Sequence, residues 1–248
     1  MVYAIDLSDK VAIVTGAGRG MGLVMAELLA QSGAQVVVAD VLPRAEAAEG
    51  LEKLAQIGGR PPIYLRHNLA IEQECQAVVA ETVAQCGRVD ILVNNAAVTK
   101  QPWQLTFEIN TLAPYHLMVA AHQDMRRRHY GKIVNVTTSG TFSGGGDGIE
   151  YNATKGALDN LTRYLGKRFA ADGVIMNAVA PGPTLTDMMR KYYGEDEYTA
   201  HYLPTMPLGR TLVPLDLAKV VLFLCSELSD SLVGETLLPD GGRARLNP

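Results

Sequence analysis

Cysteine is scarce in this chain of 248 residues, and Cys75, Cys86 and Cys225 are odd in number and widely spaced. That excludes a disulfide framework and the paired spacing of a zinc site, and no metal is expected. It suits buried structural thiols in a reducing cytoplasm. No apolar run reaches the about 18 residues that a membrane span needs. The opening MVYAIDLSDK lacks the basic start and apolar stretch of a secretory leader. Basic charge is not in excess either: 22 Lys and Arg stand against 26 Asp and Glu, for a net charge of -4. A general nucleic-acid binder needs the opposite balance. The one dense basic run, Arg126-Arg127-Arg128, reads as a solvated helix end. Aliphatic residues are plentiful, with 48% of the chain hydrophobic and 19% charged. A chain so composed folds, its length fits one or at most two domains, and a single α/β domain of this size buries a large core.

Short β-branched runs alternate with longer amphipathic stretches. Val11 to Thr15 is apolar almost throughout, as a strand buried on both faces must be. From Gly20 to Ser32, Met21, Val24, Met25, Leu28 and Leu29 fall on one helical stripe, which Gly33 stops. Further strands are expected at 35–40, 62–66, 90–94, 132–137, 174–178 and 236–239. Helices are expected at 44–57, 71–86, 108–128, 151–171 and 215–227. Repeated βα units imply an α/β fold, a doubly wound parallel sheet with helices on both faces. In such sheets ligands bind beyond the carboxyl ends of the strands.

The residues after the strands are the informative ones. Thr15-Gly16-Ala17-Gly18-Arg19-Gly20-Met21-Gly22 joins the first strand to the first helix. Glycines there permit a tight turn and close approach of backbone to a pyrophosphate, which the helix N-terminus attracts. Asp40 ends the second strand, about 20 residues on, where a carboxylate accepts from both ribose hydroxyls and repels a 2′-phosphate. Asp40 therefore favours NAD over NADP. Arg19 points the other way, since a basic residue in this loop suits a 2′-phosphate. Tyr151 and Lys155 lie four apart on one helical face. An ammonium beside a phenol favours phenolate, which makes Tyr151 a candidate general acid/base.

The glycine loop, Asn94-Asn95-Ala96-Ala97, a hydroxyl cluster after the fifth strand, Tyr151/Lys155 and Pro181-Gly182 occur in that order at fitting distances. The chain resembles the short-chain dehydrogenase/reductase family over essentially its whole length. The resemblance implies a single-domain Rossmann fold with seven parallel strands, residues 1–248. It implies hydride transfer between a nicotinamide and a carbinol or carbonyl carbon. Tyr151 would be the acid/base, Lys155 would bind the nicotinamide ribose, and Asn110 would hold a water linking Lys155 to solvent. Gly16, Gly18, Arg19, Gly20, Met21 and Gly22 would cradle the pyrophosphate side. Asp40, Val41, Asn68 and Leu69 would surround the adenosine. Asn95, Ala96 and Ala97 would line the cofactor, and Pro181, Gly182, Thr184 and Thr186 would border the carboxamide and phosphates. A homo-oligomer, tetramer or dimer, is also implied, with 108–128, 151–171 and 215–248 as contact surfaces.

The chain departs from the family pattern in three places. The serine expected thirteen residues before the tyrosine is Thr138, with Ser139 as the alternative through a one-residue shift. The stretch from Asn95 to Asn110 is short and holds Pro102 and Trp103, the single tryptophan. Ala97 replaces a glycine. Residues 185–206 occupy the place of a substrate lid, with Met188, Met189, Tyr192, Tyr193, Tyr198, His201 and Tyr202. Tyrosines there suit either a ring-shaped, partly apolar substrate or packing within the lid. The leading reading is an NAD-dependent dehydrogenase for a small secondary alcohol or ketone. The alternative within enzymes is an NADPH-dependent 3-oxoacyl-(acyl-carrier-protein) reductase, for which Arg126–Arg128 would supply part of a carrier-docking patch. Against it, Asp172 stands where such reductases tend to carry arginine. A non-catalytic nucleotide sensor is the third reading, disfavoured by the intact Tyr151/Lys155 pair.

Overall fold

The computed structural model describes residues 4–145 and 148–244, and at 187, 188 and 192 the backbone only. Seven strands, β1 (Val11–Thr15), β2 (Gln35–Asp40), β3 (Ile63–Arg66), β4 (Ile91–Asn94), β5 (Gly131–Val136), β6 (Val174–Val179) and β7 (Thr236–Leu237), form one sheet. Its order is β3-β2-β1-β4-β5-β6-β7 and every pairing is parallel. The chain winds outward from β1 to β3 and then returns to β4 on the other side of β1. The two loops that leave β1 and β4 therefore diverge, which opens a crevice at the carboxyl edge.

The apolar strands are buried on both faces. Val14 points into a core shared with Met25 and Leu29 of α1 (Gly20–Gln31) and Leu217 and Val221 of α10 (Pro214–Cys225). Its neighbour Ile13 points into the opposite core, with Val78 of α3 (Glu72–Cys86), Leu117 and Met118 of α5 (Ala113–Met125) and Leu158 of α7 (Ile149–Phe169). α3 ends where Gly87, at φ 78°, returns its N–H to the Val83 carbonyl at 2.8 Å. Among the described residues no helix is long and apolar enough to cross a membrane.

Several element ends differ from the sequence reading. The helix expected at 44–57 is α2 (Ala48–Gly58). Residues before it close tight turns instead, with Glu46 N–H on the Pro43 carbonyl at 2.9 Å and Ala47 N–H on that of Arg44 at 3.2 Å. The helix expected at 108–128 starts earlier, behind Pro102, as α4 (Trp103–Phe107). It runs through one π-helical turn, Glu108–Leu112, into α5, and tightens to a 3-10 turn at Arg126–Arg128. Five residues are too few to display an amphipathic stripe, so α4 had no periodic signal. α7 ends at Phe169, with a 3-10 turn at 170–172, and β7 is two residues long.

The basic run is not uniformly solvated. Arg128 donates to Asp124 at 2.5 Å and to the Val89 carbonyl at 2.6 Å, while Arg126 and Arg127 are exposed. Cys75 and Cys225 are buried, and burial pushes both thiols up to about 12; Cys86 is half-buried. Leu117 is 1% exposed, so Leu117→Ala is expected to cost about 2–5 kcal/mol in urea unfolding. A loss under about 1 kcal/mol would mean that α5 is not seated as described.

Candidate active site

The loop after β1 sits against the start of the chain after β4. Thr15 Oγ1 accepts from the N–H groups of both Asn95 and Ala96, each at 3.0 Å. Asn95 answers with its amide, which donates to the carbonyls of Thr15 at 2.9 Å and Gly16 at 3.2 Å. Gly16 is at φ 63°, and a Cβ there would lie 2.9 Å from Ala96 Cα. A Cβ on Gly22 would overlap the Gly16 carbonyl oxygen. Gly20, at the first turn of α1, has open space where its Cβ would be. The loop is thus packed from below and open above the helix N-terminus, a fit for a pyrophosphate. Arg19 is exposed and Met21 half-buried beside it.

Asp40 is 8% exposed at the end of β2. Its carboxylate accepts from the Gly18 N–H at 2.8 Å and the Leu42 N–H at 3.2 Å. The charge is thereby fixed at the rim where the glycine loop and β2 meet. Val41, next to it, is exposed. Asn68 is exposed, and its Oδ1 already accepts from the Ala70 N–H at 3.1 Å, so its amino group is what it keeps for a ligand. Leu69 is packed in the core, which leaves only its backbone to the adenosine side.

The second half of the site lies beyond β5. Lys155 is 1% exposed, and its Nζ donates to the Val136 carbonyl at 2.7 Å. The same nitrogen is 5.8 Å from the centre of the Tyr151 ring. Burial pulls the ammonium from its ordinary 10.5 down to about 7. Thr138 is half-buried; its Oγ1 accepts from the Gly140 N–H at 3.2 Å, which leaves the hydroxyl proton available to donate. Ser139 is 5% exposed, with its N–H on the Pro181 carbonyl at 2.9 Å, so the β5 and β6 loops meet at this point.

Asn110 occupies the π-helical turn and is fully buried. Its Oδ1 accepts from the Val98 N–H and its amino group donates to the Val98 carbonyl, both at 2.8 Å. The amino group also reaches Thr154 Oγ1 at 3.2 Å. The side chain thus pins the short 95–102 link to α7. Thr111 adds a bond to the Thr154 carbonyl at 2.9 Å. Nothing in the local pattern marks Thr15 and Thr154 as joints, although Thr15 heads the glycine motif. Asn94 continues the bracing inward through Asn135, at 2.8 Å, to Thr162, at 2.9 Å.

The remaining residues are drawn into local structure. Thr184 Oγ1 donates to the Gly182 carbonyl at 2.9 Å, and Thr186 Oγ1 caps α8 (Asp187–Tyr193) through the Met189 N–H at 3.2 Å. Ala97 is exposed at the crevice. In the lid, Tyr198 of α9 (Glu195–Tyr202) is 4% exposed, and its ring centre is 4.6 Å from that of Tyr202. His201 meets Tyr202 edge-on, also at 4.6 Å. Tyr198 is thus packing within the lid. Met188 and Tyr192 lie outside the described side chains. Among the described residues no group of three or more His, Cys, Asp or Glu is placed to hold a metal ion.

A crevice of this build, with Tyr151 and Lys155 at one side and the glycine loop at the other, defines a class before any comparison. The family model described as Enoyl-(Acyl carrier protein) reductase matches residues 16–244. The chain belongs to the short-chain dehydrogenase/reductase family. It is 33% identical to the 3-oxoacyl-(acyl-carrier-protein) reductase of Aquifex aeolicus, over 96% of this chain and 98% of that protein. It is 31% identical to the 2-dehydro-3-deoxy-D-gluconate 5-dehydrogenase of Dickeya dadantii, over 96% of each. A crystal structure from Sinorhizobium meliloti 1021, provisionally assigned as a short-chain alcohol dehydrogenase, superposes with a TM-score of 0.89. It is 30% identical and covers 96% of this chain and 98% of its own. The chain is an oxidoreductase of that family with its single Rossmann-type sheet.

The buried Lys155 has a consequence for stability. Unfolded, its ammonium keeps the proton to about pH 10.5; folded without ligands, it sheds it near 7. Between those values the folded chain binds fewer protons, so this group makes stability rise with pH. The urea midpoint of the wild type is expected to gain on that of Lys155→Met from pH 7 to 10. A constant difference between the two would contradict the burial of the charge.

Proposed function

We propose that this protein is an NAD-dependent dehydrogenase that moves a hydride between NAD(H) and a small secondary alcohol or ketone. The observation that carries it is the placing of Tyr151 and Lys155 on α7 against the end of β5, with Lys155 bound two residues from Thr138. The glycine loop would hold the pyrophosphate, Asp40 the adenosine ribose, and Lys155 the nicotinamide ribose. A nicotinamide bound in the crevice supplies or takes up the hydride. Tyr151 gives its phenolic proton to the carbonyl oxygen during reduction and takes it back from the carbinol during oxidation. The Thr138 hydroxyl donates to that same oxygen and polarises it, with Ser139 the alternative donor in the same turn. The nearby Lys155 ammonium stabilises the phenolate that reduction leaves behind.

Asp40 supports NAD, since a buried-edge carboxylate held by two N–H groups stands where a 2′-phosphate would have to sit. The reductase reading with NADPH has the names of several relatives in its favour. Two features weigh against it. Arg126–Arg128 lie at the start of β5, on the edge of the sheet opposite the crevice, with Arg128 already paired. Asp172 is taken up by His122, at 2.7 Å, and offers no cation. We also expect a homo-oligomer through α5 and α7, where Tyr115 and Tyr164 are exposed, and a cytoplasmic setting.

Tyr151→Phe is expected to abolish turnover in a panel of secondary alcohols and ketones while NADH affinity stays within about threefold; retained turnover sinks the acid/base role. Asp40→Ala is expected to raise NADP use relative to NAD by about tenfold or more, read as the ratio of kcat/KM values. A wild type that already prefers NADPH would overturn the charge argument. Separately, Thr138→Val is expected to cost more in kcat than Ser139→Ala, and the reverse order would pass the role to Ser139.

A further inference from the structure

The reaction proposed above needs two hydroxyls from different elements to meet one substrate oxygen. Tyr151 belongs to α7, and Thr138 belongs to the turn between β5 and α6 (Gly140–Ser143). Two contacts set the spacing between them. Lys155 ties α7 to Val136, on the strand side of Thr138, at 2.7 Å. Three residues earlier on the same helical face, Asn152 abuts Gly140, on the far side of Thr138. A Cβ on Gly140 would overlap Asn152 Oδ1, so side chain and backbone are in direct contact. The Asn152 amino group donates to the Gly148 carbonyl at 2.8 Å, which locks the amide across the first turn of α7.

The Asn152 Oδ1 is buried and has no hydrogen-bond partner among the described residues. A buried unpaired acceptor costs stability, and an apolar side chain of similar size would avoid the cost. Its position suggests what the cost supports. Gly140 donates its N–H to Thr138 Oγ1 at 3.2 Å, so a shift of Gly140 moves the very hydroxyl that meets the substrate. Gly140 is also hemmed by the Gly145 carbonyl, so the turn has no slack on that side.

We propose that Asn152 is a positioning residue, which by seating on Gly140 fixes the Thr138 turn at its working distance from the Tyr151 phenol. The turn is held at both ends by α7, through Lys155 at Val136 and Asn152 at Gly140. This rests on the dehydrogenase reading for its catalytic consequence, while the seating itself does not.

Two measurements on the full chain test it. Amide hydrogen exchange of the ligand-free protein is expected to speed up over 138–145 in Asn152→Ala and stay unchanged over 156–169. Unchanged exchange over 138–145 overturns the proposal whatever the kinetics. In turnover, Asn152→Ala is expected to lower kcat by about 10- to 100-fold, the scale of a misplaced catalytic group, with NADH affinity within about twofold. In a Thr138→Val background the same substitution is expected to cost less than about twofold, because the hydroxyl it positions is gone. An equal loss in both backgrounds overturns the proposal, since general damage to the site would act alike on each. Gly140→Ala presses on the same contact from the other side and is expected to reproduce the pattern. Absence of turnover by the wild type would sink the dehydrogenase reading instead, and the exchange result then decides the seating alone.

Discussion

The buried ammonium of Lys155 is the constraint around which the site is organised. A charged amine held 1% exposed is costly unless paired, and this one donates to the Val136 carbonyl. That bond joins the second turn of α7 to the last residue of β5. Tyr151 lies one turn earlier on the same helical face. Thr138 lies two residues past the end of that strand. One nitrogen thus ties the helix that carries Tyr151 to the strand that leads to Thr138.

The other side of the crevice is built by the same economy. Thr15 and Asn95 exchange bonds across the β1–β4 divergence, so the glycine loop is supported by the residues that line the neighbouring strand end. Asn110 then ties the short 95–102 link to α7, through Val98 on one side and Thr154 on the other. With that link so brief, the wide π turn at Glu108–Leu112 places Asn110 where both partners are in reach. Glycine loop, short link and α7 form one connected polar frame over an apolar sheet.

Different parts of the lid show how residue type alone misleads. Tyrosines at 193, 198 and 202 are compatible with a substrate pocket or with a packed lid, and the ring contacts of Tyr198 with Tyr202 place it in the second class. The arginine run reads as one feature, yet Arg128 is tied to Asp124 and Val89 while its neighbours are exposed. In both cases the outcome depends on a partner distant in sequence or on a turn of helix that the pattern does not reveal.

The succession of strands along the chain, the long helices between them, the glycine loop and the Tyr151/Lys155 pair were legible in the sequence, because each is local. A strand buried on both faces must be apolar in every position, a helix must repeat its stripe, and residues four apart in a helix must share a face. Tertiary structure alone decided what those residues hold. The commitment of Asn110 to Val98, of Asn95 to the glycine loop, of Lys155 to Val136 and the seat of Asn152 on Gly140 all join segments that are distant in the chain or meet only after a turn has closed. Hydrogen-bond partners of that kind are selected by packing geometry, and no spacing in the sequence encodes them.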